Sequence, residues 1–397
     1  MKNFVFISPN FPHIYWNFCK ALKEEGFRVL AIGDVKKETL TAEQLASIDD
    51  YFYVSSLEDF AQKYQAVAYF AYRYGPIDFL ESNNEYWLAS DAKLRTMFHI
   101  TTGKNERTIG MYQSKIKEKQ YYAKAHVKTA RYCTRLQWKY VASFIKKVGF
   151  PIIAKPDHGV GAQKTYLIHN EEEYTSFLKE KEKIKYILEE FIDGDLISFD
   201  GVSNAKAEPV FYSNEVFPDP ILNIIQGKKD CFYYANQNVP ADLLDAGKRV
   251  LKAFGAKYRY FHLEFFRLRK SKKGLGQEGD LIGLEVNMRC PGGYTPDLIN
   301  FAQSEDSYRI WAKAMANHPV TLSSYPKYFA GYVGRRDGVN YELSDEEIMQ
   351  KFHPQIKGYD RMPEILSDDL GNRFFMAAFE SKEQLEDFFL QTMKRKE

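Results

Sequence analysis

The sequence predicts a mixed fold in which an α/β N-terminal part is followed by a larger α+β part. Over roughly the first hundred residues, short apolar runs alternate with amphipathic stretches, which is typical of a parallel sheet covered by helices. From residue 149 onward, strand-like runs follow one another through polar turns that contain glycine. This second pattern is typical of antiparallel strands.

The composition is that of a globular protein. With 397 residues, 45% of them hydrophobic, the chain is long enough for about two or three compact domains. Its net charge of +2 gives no reason to expect a nucleic acid or a membrane as partner. Four widely spaced cysteines indicate a reducing compartment, and the short N-terminal apolar run does not resemble a signal peptide. We therefore predict a cytoplasmic protein.

The first predicted strand is the run NFVFIS at residues 3–8. The turn after it, from Pro9 to Pro12, lacks the glycines through which a dinucleotide fold brings its backbone close to a pyrophosphate. A dinucleotide site is therefore not expected there. Two helical stretches follow later, and the second, at residues 111–126, is rich in lysine.

A glycine-containing loop at residues 156–163 joins two strand-like runs. Because the loop leads into a strand, it is not a Walker-type phosphate loop, which opens a helix. Gly159 and Gly161 leave backbone N–H groups free to form an anion-binding concavity, and Lys155 ends the preceding strand. Two glycines in a turn are also common as a purely structural feature, so both interpretations stay open.

Three polar residues interrupt the otherwise apolar strand LIGLEVNMR at residues 281–289. Glu285, Asn287 and Arg289 follow one another at two-residue steps, so their side chains share one face of the strand. The strand therefore presents a carboxylate, an amide and a guanidinium on the same side.

A second strand, within residues 259–270, carries Glu264, and a polar connection to Leu281 predicts that the two strands form a hairpin. Pairing would bring Glu264 beside Glu285 and Asn287. Two carboxylates and an amide oxygen form a hard, all-oxygen site that suits Mg²⁺. The same side chains also fit the solvent face of an amphipathic hairpin, and the strand pattern alone does not decide between the two.

Five motifs, in this order, resemble those of the ATP-grasp superfamily, specifically the carboxylate–amine ligases and the nucleotide fold of carbamoyl-phosphate synthase and biotin carboxylase. They are QSKIKEK, FPIIAKPDHGVGA, ILEEFIDG, HLEFF and LEVNMR, within a resemblance that covers about residues 1–320. The resemblance implies a Rossmann-like pre-ATP-grasp domain at residues 1–110. It further implies a small ATP-grasp subdomain with the flap at residues 111–193 and a large one, with the metal site and an α+β extension, at residues 194–397.

The resemblance also implies a set of ATP-binding residues. They are Lys115 with its neighbour Lys119, Lys155, Gly159, Gly161, Glu189, Glu190 and Ile192. The lysines would reach the phosphates, the glycines would form the flap, and Glu189 with the backbone of Glu190 and Ile192 would meet the adenine edge. Leu196 stands where an acidic residue often holds the ribose, so the ribose contact is open between Asp195, Asp200 and neither.

The metal site implied by the resemblance consists of Glu264, Glu285 and Asn287, which would bind Mg²⁺ or, as a substitute, Mn²⁺. Arg289 would stabilise the transferred phosphate, so Arg289 and Lys155 are the predicted catalytic residues.

Two departures from the family pattern affect the phosphate-binding elements. Ser114 stands where the family usually has Asp, and Ala162 and Lys164 replace a serine and a glycine of the flap. The flap therefore loses one hydroxyl and gains a cation, so it is expected to close differently over the phosphates.

The implied activity is ATP-dependent ligation. A small carboxylic acid, for example an amino acid or peptide, would be activated as an acyl phosphate and joined to an amine, with release of ADP and phosphate. The expected partners are these small molecules, with neither nucleic acid nor membrane, and a homodimer is compatible with the resemblance. Two alternatives are a phosphorylating ligase of nucleotide biosynthesis and a non-catalytic ATP-binding module of the same fold.

Overall fold

The computed structural model describes residues 1–159, 164–218 and 230–396. The described strands are β1 (Asn3–Ile7), β2 (Arg28–Gly33), β3 (Asp50–Tyr53), β4 (Phe79–Glu81), β5 (Lys128–Thr129), β6 (Tyr132–Cys133), β7 (Ile152–Pro156), β8 (Tyr166–Ile168), β9 (Tyr186–Glu190), β10 (Gly194–Ser203), β11 (Pro209–Ser213), β12 (Glu215–Phe217), β13 (Cys231–Ala235), β14 (Tyr260–Leu268), β15 (Leu281–Asn287), β16 (Phe329–Arg335), β17 (Ile356–Arg361) and β18 (Arg373–Phe379). The described α-helices are α1 (Trp16–Glu24), α2 (Ala42–Ala46), α3 (Phe60–Tyr74), α4 (Leu88–Met97), α5 (Lys115–Lys124), α6 (Trp138–Val148), α7 (Glu171–Glu180), α8 (Ala241–Phe254), α9 (Thr295–Gln303), α10 (Ser307–Ala316), α11 (Asp345–Lys351), α12 (Glu364–Leu370) and α13 (Lys382–Met393). Short 3-10 helices lie at His13–Tyr15, Lys37–Thr39, Glu85–Trp87 and Ile109–Met111.

The N-terminal part is a four-stranded parallel sheet in the order β3-β2-β1-β4. Its central strand is buried on both faces: Phe4 and Phe6 pack into one apolar cluster, and Val5 and Ile7 into another. A continuous apolar run is what a parallel strand covered by helices requires. The predicted α/β N-terminal part is confirmed.

The largest sheet has ten strands, with β17-β18-β16-β13-β12-β10-β14-β15-β5 as its main path and β11 paired with β10. Every pairing in it is antiparallel except that of β15 with β5. The predicted α+β character of the later part is therefore confirmed. Helix α13 packs its apolar face, which includes Leu385, Phe388 and Phe389, against this sheet.

A separate four-stranded sheet, in the order β6-β9-β7-β8, forms the small sheet of the molecule. Helices α6 and α7 contribute Phe144 and Phe177 to a cluster with Ile152 and Leu188 of the sheet. The predicted hairpin is present, since β7 pairs antiparallel with β8. Of its two glycines, Gly159 has a φ of 142°, while Gly161 lies outside the described residues.

Strands β14 and β15 pair antiparallel, as the polar connection between them predicts. Phe261, Leu263 and Phe265 alternate into the apolar cluster beneath the sheet, together with Val286 of the partner strand. The residues between them, including Glu264, face the opposite side. The register shifts by one residue just after Glu264, which marks an irregularity in the ladder at this carboxylate.

A buried ion cluster joins the N-terminal sheet to the largest sheet. Glu81, at the end of β4, accepts hydrogen bonds from Arg95 at 2.8 Å and from Arg259, which also donates to the carbonyl of Met288. The same two sheets share an apolar core, where the ring of Phe18 lies 5.0 Å from that of Trp311. All three ionic side chains are almost completely buried, so this junction is a continuous interior rather than a solvated contact.

The predicted domain boundaries, after residues 110 and 193, stay a prediction. Strand β5 pairs with β15 in the largest sheet before the chain enters the small sheet at β6, and β10 returns it to the largest sheet. Within the described ranges, no helix is both long and apolar enough to cross a lipid bilayer.

Candidate functional site

The exposed face of the β14–β15 hairpin brings the predicted metal-ligating residues together. Glu264 and Glu285 are direct cross-strand partners, and Asn287 lies two residues further along β15. The side chains of Glu264 and Glu285 are 15% and 22% exposed, so they line a recess and do not project freely into solvent. A freely solvated face would leave these carboxylates largely exposed, so their burial disfavours that alternative, while metal binding by them stays a prediction.

Helix α5 places two lysines over this hairpin. Lys115 and Lys119 are one helical turn apart and therefore share a face of the helix. The ammonium group of Lys115 lies 2.7 Å from a carboxylate oxygen of Glu285 and donates to the carbonyl of Gly159 at 3.2 Å. Lys115 thus connects the predicted metal site with the start of the flap.

The first turn of α5 is fixed by Ser114 and Asp157. The Ser114 hydroxyl accepts a hydrogen bond from the backbone N–H of Lys117 and donates one of 2.8 Å to Asp157. The same Asp157 oxygen accepts from the backbone N–H of Ile116 at 3.0 Å. A carboxylate at a helix N-terminus is favourable because the free N–H groups there carry partial positive charge. Although residue 114 is Ser where the resemblance predicts Asp, a carboxylate is still present at this helix end, because Asp157 supplies it.

The small sheet contributes Lys155 from β7 and Glu189 from the neighbouring strand β9. The ammonium groups of Lys119 and Lys155 lie 2.6 Å and 2.9 Å from the two carboxylate oxygens of Glu189. All three side chains are at most 8% exposed. Lys155 is therefore a buried strand residue that shares Glu189 as an ion-pair partner with Lys119.

The paired charges set the protonation states in the recess. Burial alone would raise the pKa of Glu189, but Lys119 and Lys155 lower it from the ordinary 4.5 to about 2. In the same way, burial opposes ionisation of Glu285, yet Lys115 and Lys155 hold its pKa below the ordinary value. Because the folded-state pKa of Glu189 lies below its unfolded-state value, this carboxylate stabilises the fold above about pH 4.5 and loses that contribution as the pH falls toward 2.

Two further carboxyl groups belong to the recess and were not among the predicted site residues. Burial and the nearby Glu285 raise the pKa of Glu118 to about 8, and Glu118 accepts from the backbone N–H of Val286. Burial raises the pKa of Glu85 to about 7 against the opposing charge of Arg289. The spacing of Glu118 from Lys115 on one helical face could have identified it, but no sequence signal identifies Glu85, which comes from the N-terminal part.

Arg289 lies at the edge of the recess just after β15. It donates to the side-chain oxygen of Asn287 at 3.3 Å and to the carbonyl of Cys290 at 2.9 Å, and its Nε lies 3.8 Å from Glu85. The guanidinium is therefore positioned by short-range contacts, with one side facing the predicted metal ligands.

The predicted adenine and ribose contacts have partners within the protein. Glu190 forms a forked ion pair with Arg131, while its backbone N–H donates to the Arg131 carbonyl. Ile192 packs into a small apolar cluster, and Asp195 pairs with Arg269 at the surface. The roles of Glu189, Glu190 and Ile192 toward adenine stay predictions. Asp200, the other candidate for the ribose, is completely buried.

The donor chemistry of the recess fits a magnesium nucleotide. Glu264, Glu285 and Asn287 offer oxygen ligands, which Mg²⁺ prefers, and they leave positions for water and phosphate oxygens. Lys115, Lys155 and Arg289 supply positive charge around them at the mouth of the flap. An oxygen-ligand site ringed by cations is the arrangement expected for a metal-bound triphosphate.

Comparison with known families identifies this arrangement. Residues 115–250, which carry the two lysines of α5, the flap and Glu189, match the ATP-grasp domain family. This segment of the chain is therefore assigned to the ATP-grasp domain family. A relative of the chain is the L-arginine-specific L-amino acid ligase of Bacillus subtilis, with 27% identity over 228 residues. The matched segment covers 55% of this chain and 53% of that ligase, so the match spans about half of the relative's length.

Solved structures share the fold along almost the whole chain. L-amino acid ligase from Bacillus licheniformis aligns with a TM-score of 0.68 and 16% identity, over 98% of this chain and 96% of that one. The biotin carboxylase domain of the Hydrogenobacter thermophilus 2-oxoglutarate carboxylase, solved as a dimer with MgADP, ADP and bicarbonate, aligns with a TM-score of 0.68 and 16% identity, over 100% of this chain and 90% of that one. At these identities the likeness establishes the fold.

Proposed function

We propose that this protein is an ATP-dependent carboxylate–amine ligase that phosphorylates a small carboxylic acid, an amino acid or peptide, and joins it to an amine. The products would be an amide bond, ADP and phosphate. The observation that carries the proposal is the direct cross-strand pairing of Glu264 with Glu285 beneath Lys115. A chain that only bound nucleotide would have no chemical need for a pair of metal-ligating carboxylates beside a phosphate-binding lysine.

In the proposed reaction, Glu264, Glu285 and Asn287 would hold Mg²⁺, and the ion would supply positive charge for the phosphates. Lys115 exchanges its contact with Glu285 for a phosphate oxygen, and Lys155 does the same with Glu189. Both lysines thus keep an anionic partner throughout. The recess stays close to electrically neutral with and without nucleotide, which limits the electrostatic cost of binding.

Two groups of the recess suit the chemistry at the transferred phosphate and the amine. Arg289 donates toward the phosphoryl oxygens in the forked geometry that a guanidinium provides. Glu85, buried beside Arg289 and with a pKa raised to about 7, can accept the proton that the attacking amine loses. The acyl phosphate is sensitive to water, so the reaction requires that water be excluded from it.

The amino-acid ligase assignment is favoured over a ligase of nucleotide biosynthesis by the sequence match. The relative that aligns by sequence is named an L-amino acid ligase, and the aligned segment is long enough to include most of the site. We therefore propose an amino acid or peptide as the phosphorylated substrate.

The activity is tested by phosphate release from MgATP in the presence of amino acids, alone and in pairs. We expect release on the order of 1–10 per second with a productive pair, because typical enzymes of this kind turn over in that range. Mass spectrometry should show the corresponding dipeptide. If MgATP raises the melting temperature through preferential binding to the folded state but no carboxylate and amine stimulate release, the protein is a non-catalytic ATP-binding module.

Arg289→Lys is expected to lower kcat roughly 10- to 100-fold, because an ammonium group cannot reproduce the forked contact of a guanidinium with phosphoryl oxygens. The KM for ATP should change much less, since the lysines carry nucleotide binding. Arg267→Lys is the matched control, because Arg267 pairs with Asp242 at the surface of the same hairpin. Equal kcat values for the two variants would remove Arg289 from the transfer step.

A further inference from the structure

A second cluster of ionisable side chains lies on the same sheet face as the magnesium-binding residues, further toward its centre. Asp200 of β10, Glu215 of β12 and His262 of β14 come from three strands that are adjacent in the sheet. Each offers one ligand atom, and these atoms all lie within 4.8 Å of one another. All three residues are buried, with exposures of 0%, 0% and 6%.

His262 is oriented as histidine ligands of metal ions usually are. Its Nδ1 lies 2.5 Å from an oxygen of Asp200, while its Nε2 lies 3.1 Å from an oxygen of Glu264. A metal-bound imidazole commonly donates its other ring N–H to a carboxylate, which fixes the tautomer and the ring plane. Donation from Nε2 to Glu264 would leave the Nδ1 lone pair facing the Asp200 carboxylate, and two electron-rich atoms at this distance require a cation to bind both.

Glu215 is the observation that points to a ligand. Its backbone N–H donates to the hydroxyl of Ser198, but neither of its buried carboxylate oxygens has a hydrogen-bond partner among residues 1–159, 164–218 and 230–396. Burial and the nearby Asp200 raise its pKa well above the ordinary value. A buried carboxylate without a donor is strongly unfavourable in an apolar interior, so this position is built for a proton or for a cation.

We propose that Asp200, Glu215 and Nδ1 of His262 bind a divalent transition metal ion of the zinc type, at a site separate from the magnesium nucleotide. Two carboxylates and a neutral imidazole balance the charge of one divalent ion, and an imidazole ligand selects Zn²⁺ and similar metals over Mg²⁺ and Ca²⁺. The three ligand atoms already lie within 4.8 Å of one another, and binding one ion at about 2.0–2.2 Å would bring them around a common centre. The ion would tie three strands together and, through Nε2 of His262, hold Glu264 in position.

A protonated His262 held between Asp200 and Glu264 is the competing arrangement. In this arrangement both ring nitrogens donate a hydrogen bond. Burial lowers the pKa of His262, but the two carboxylates outweigh it and raise the pKa to about 10. However, this arrangement leaves the Glu215 carboxylate without a partner in the part of the chain that the structure describes. A metal ion in place of the proton satisfies all three side chains at once.

The test is a Zn²⁺ titration of chelator-treated protein in the absence of nucleotide. Calorimetry measures the affinity, and metal analysis measures the number of ions bound per chain. We expect one equivalent to bind, with affinity reduced by at least about 100-fold in Glu215→Gln, because a lost ligand removes much of the binding free energy. Glu285→Gln, which alters only the magnesium site, should retain this equivalent. Asp230→Asn is the control for charge removal at a buried acid outside the cluster, where Asp230 bonds Tyr341 and Arg395.

Two results would overturn the proposal. One is wild-type protein that binds no Zn²⁺, and the other is Glu215→Gln protein that binds it as wild type does. Should Glu215→Gln fail to fold, anomalous diffraction at the zinc edge from wild-type crystals replaces it. A peak between Asp200, Glu215 and His262 supports the site, and a peak elsewhere, or none, rejects it. Because no step uses ATP, the outcome is independent of the proposed ligase activity.

Discussion

Glu285→Gln should lower turnover by at least about 100-fold while leaving the protein folded, because lost electrostatic contacts to a reacting phosphate cost on the order of 3 kcal/mol. The substitution keeps the size of the side chain but removes the negative charge that Lys115 and the proposed metal ion share. Phosphate release at several Mg²⁺ concentrations measures the effect, and the Mg²⁺ concentration for half-maximal rate should rise.

The hairpin offers a matched control for this change. Glu278, in the connection between β14 and β15, is exposed, so Glu278→Gln should leave turnover and Mg²⁺ dependence unchanged.

Glu264→Gln should act in the same direction as Glu285→Gln, and the double variant should lose much less than the product of the two effects, since both carboxylates serve one metal site. Near-wild-type activity of Glu285→Gln would show that the hairpin is not the metal site.

Lys155→Ala should have the second-largest effect, on both nucleotide affinity and stability. The loss of a phosphate contact is expected to weaken ATP binding at least about 10-fold, or about 1.4 kcal/mol. The variant also leaves the buried carboxylate of Glu189 with Lys119 as its one remaining ion-pair partner among the described residues. Removing one partner of a buried charged group costs roughly 1–3 kcal/mol, so the melting temperature should fall as well. Nucleotide titration and thermal unfolding measure the two effects separately.

Lys146→Ala is the control for Lys155→Ala, because Lys146 is an exposed residue on α6 of the same subdomain. It should change neither property. If Lys155→Ala lowers the melting temperature but keeps wild-type ATP affinity, Lys155 serves only to neutralise Glu189 and is not a phosphate ligand.

The residues of the hairpin could be predicted from the sequence because their arrangement follows from local geometry. Side chains alternate across a strand, so Glu285 and Asn287 must share a face, and the short polar connection makes β14 the natural partner of β15. Which side of the sheet this face occupies depends on where the apolar core lies. In the structure Phe261 and Leu263 face the core, so Glu264 between them faces the other side. The parallel N-terminal sheet was predictable for the same reason, from runs that are apolar at every position.

The partners of the lysines could not be predicted, because they depend on how separate elements pack. Glu189 lies between Lys119 and Lys155 only because α5 brings Lys119 close to strands β7 and β9 of the small sheet. Glu85 reaches the recess from the N-terminal part, and Asp157 takes part in capping a helix at Ile116, 41 residues earlier in the chain. No periodicity in the sequence encodes such contacts. They follow from burial, which forces each charged group to find a counter-charge wherever the fold provides one.

The ion cluster of Glu81, Arg95 and Arg259 limits which parts of the protein can move relative to one another. Separating the N-terminal sheet from the largest sheet would leave buried charges unpaired, at a cost of roughly 3–5 kcal/mol for the ions alone. Those two sheets should therefore stay fixed relative to each other and form the frame of the molecule. The small sheet is joined to that frame by two short connections, one before β6 and one after β9, and Arg131 and Lys272 pair with Glu190 beside them. Rotation of the small sheet about these connections would move Lys155 toward or away from Glu285. We therefore expect access to the recess to depend on movement of the small sheet, with the rotation axis near Glu190.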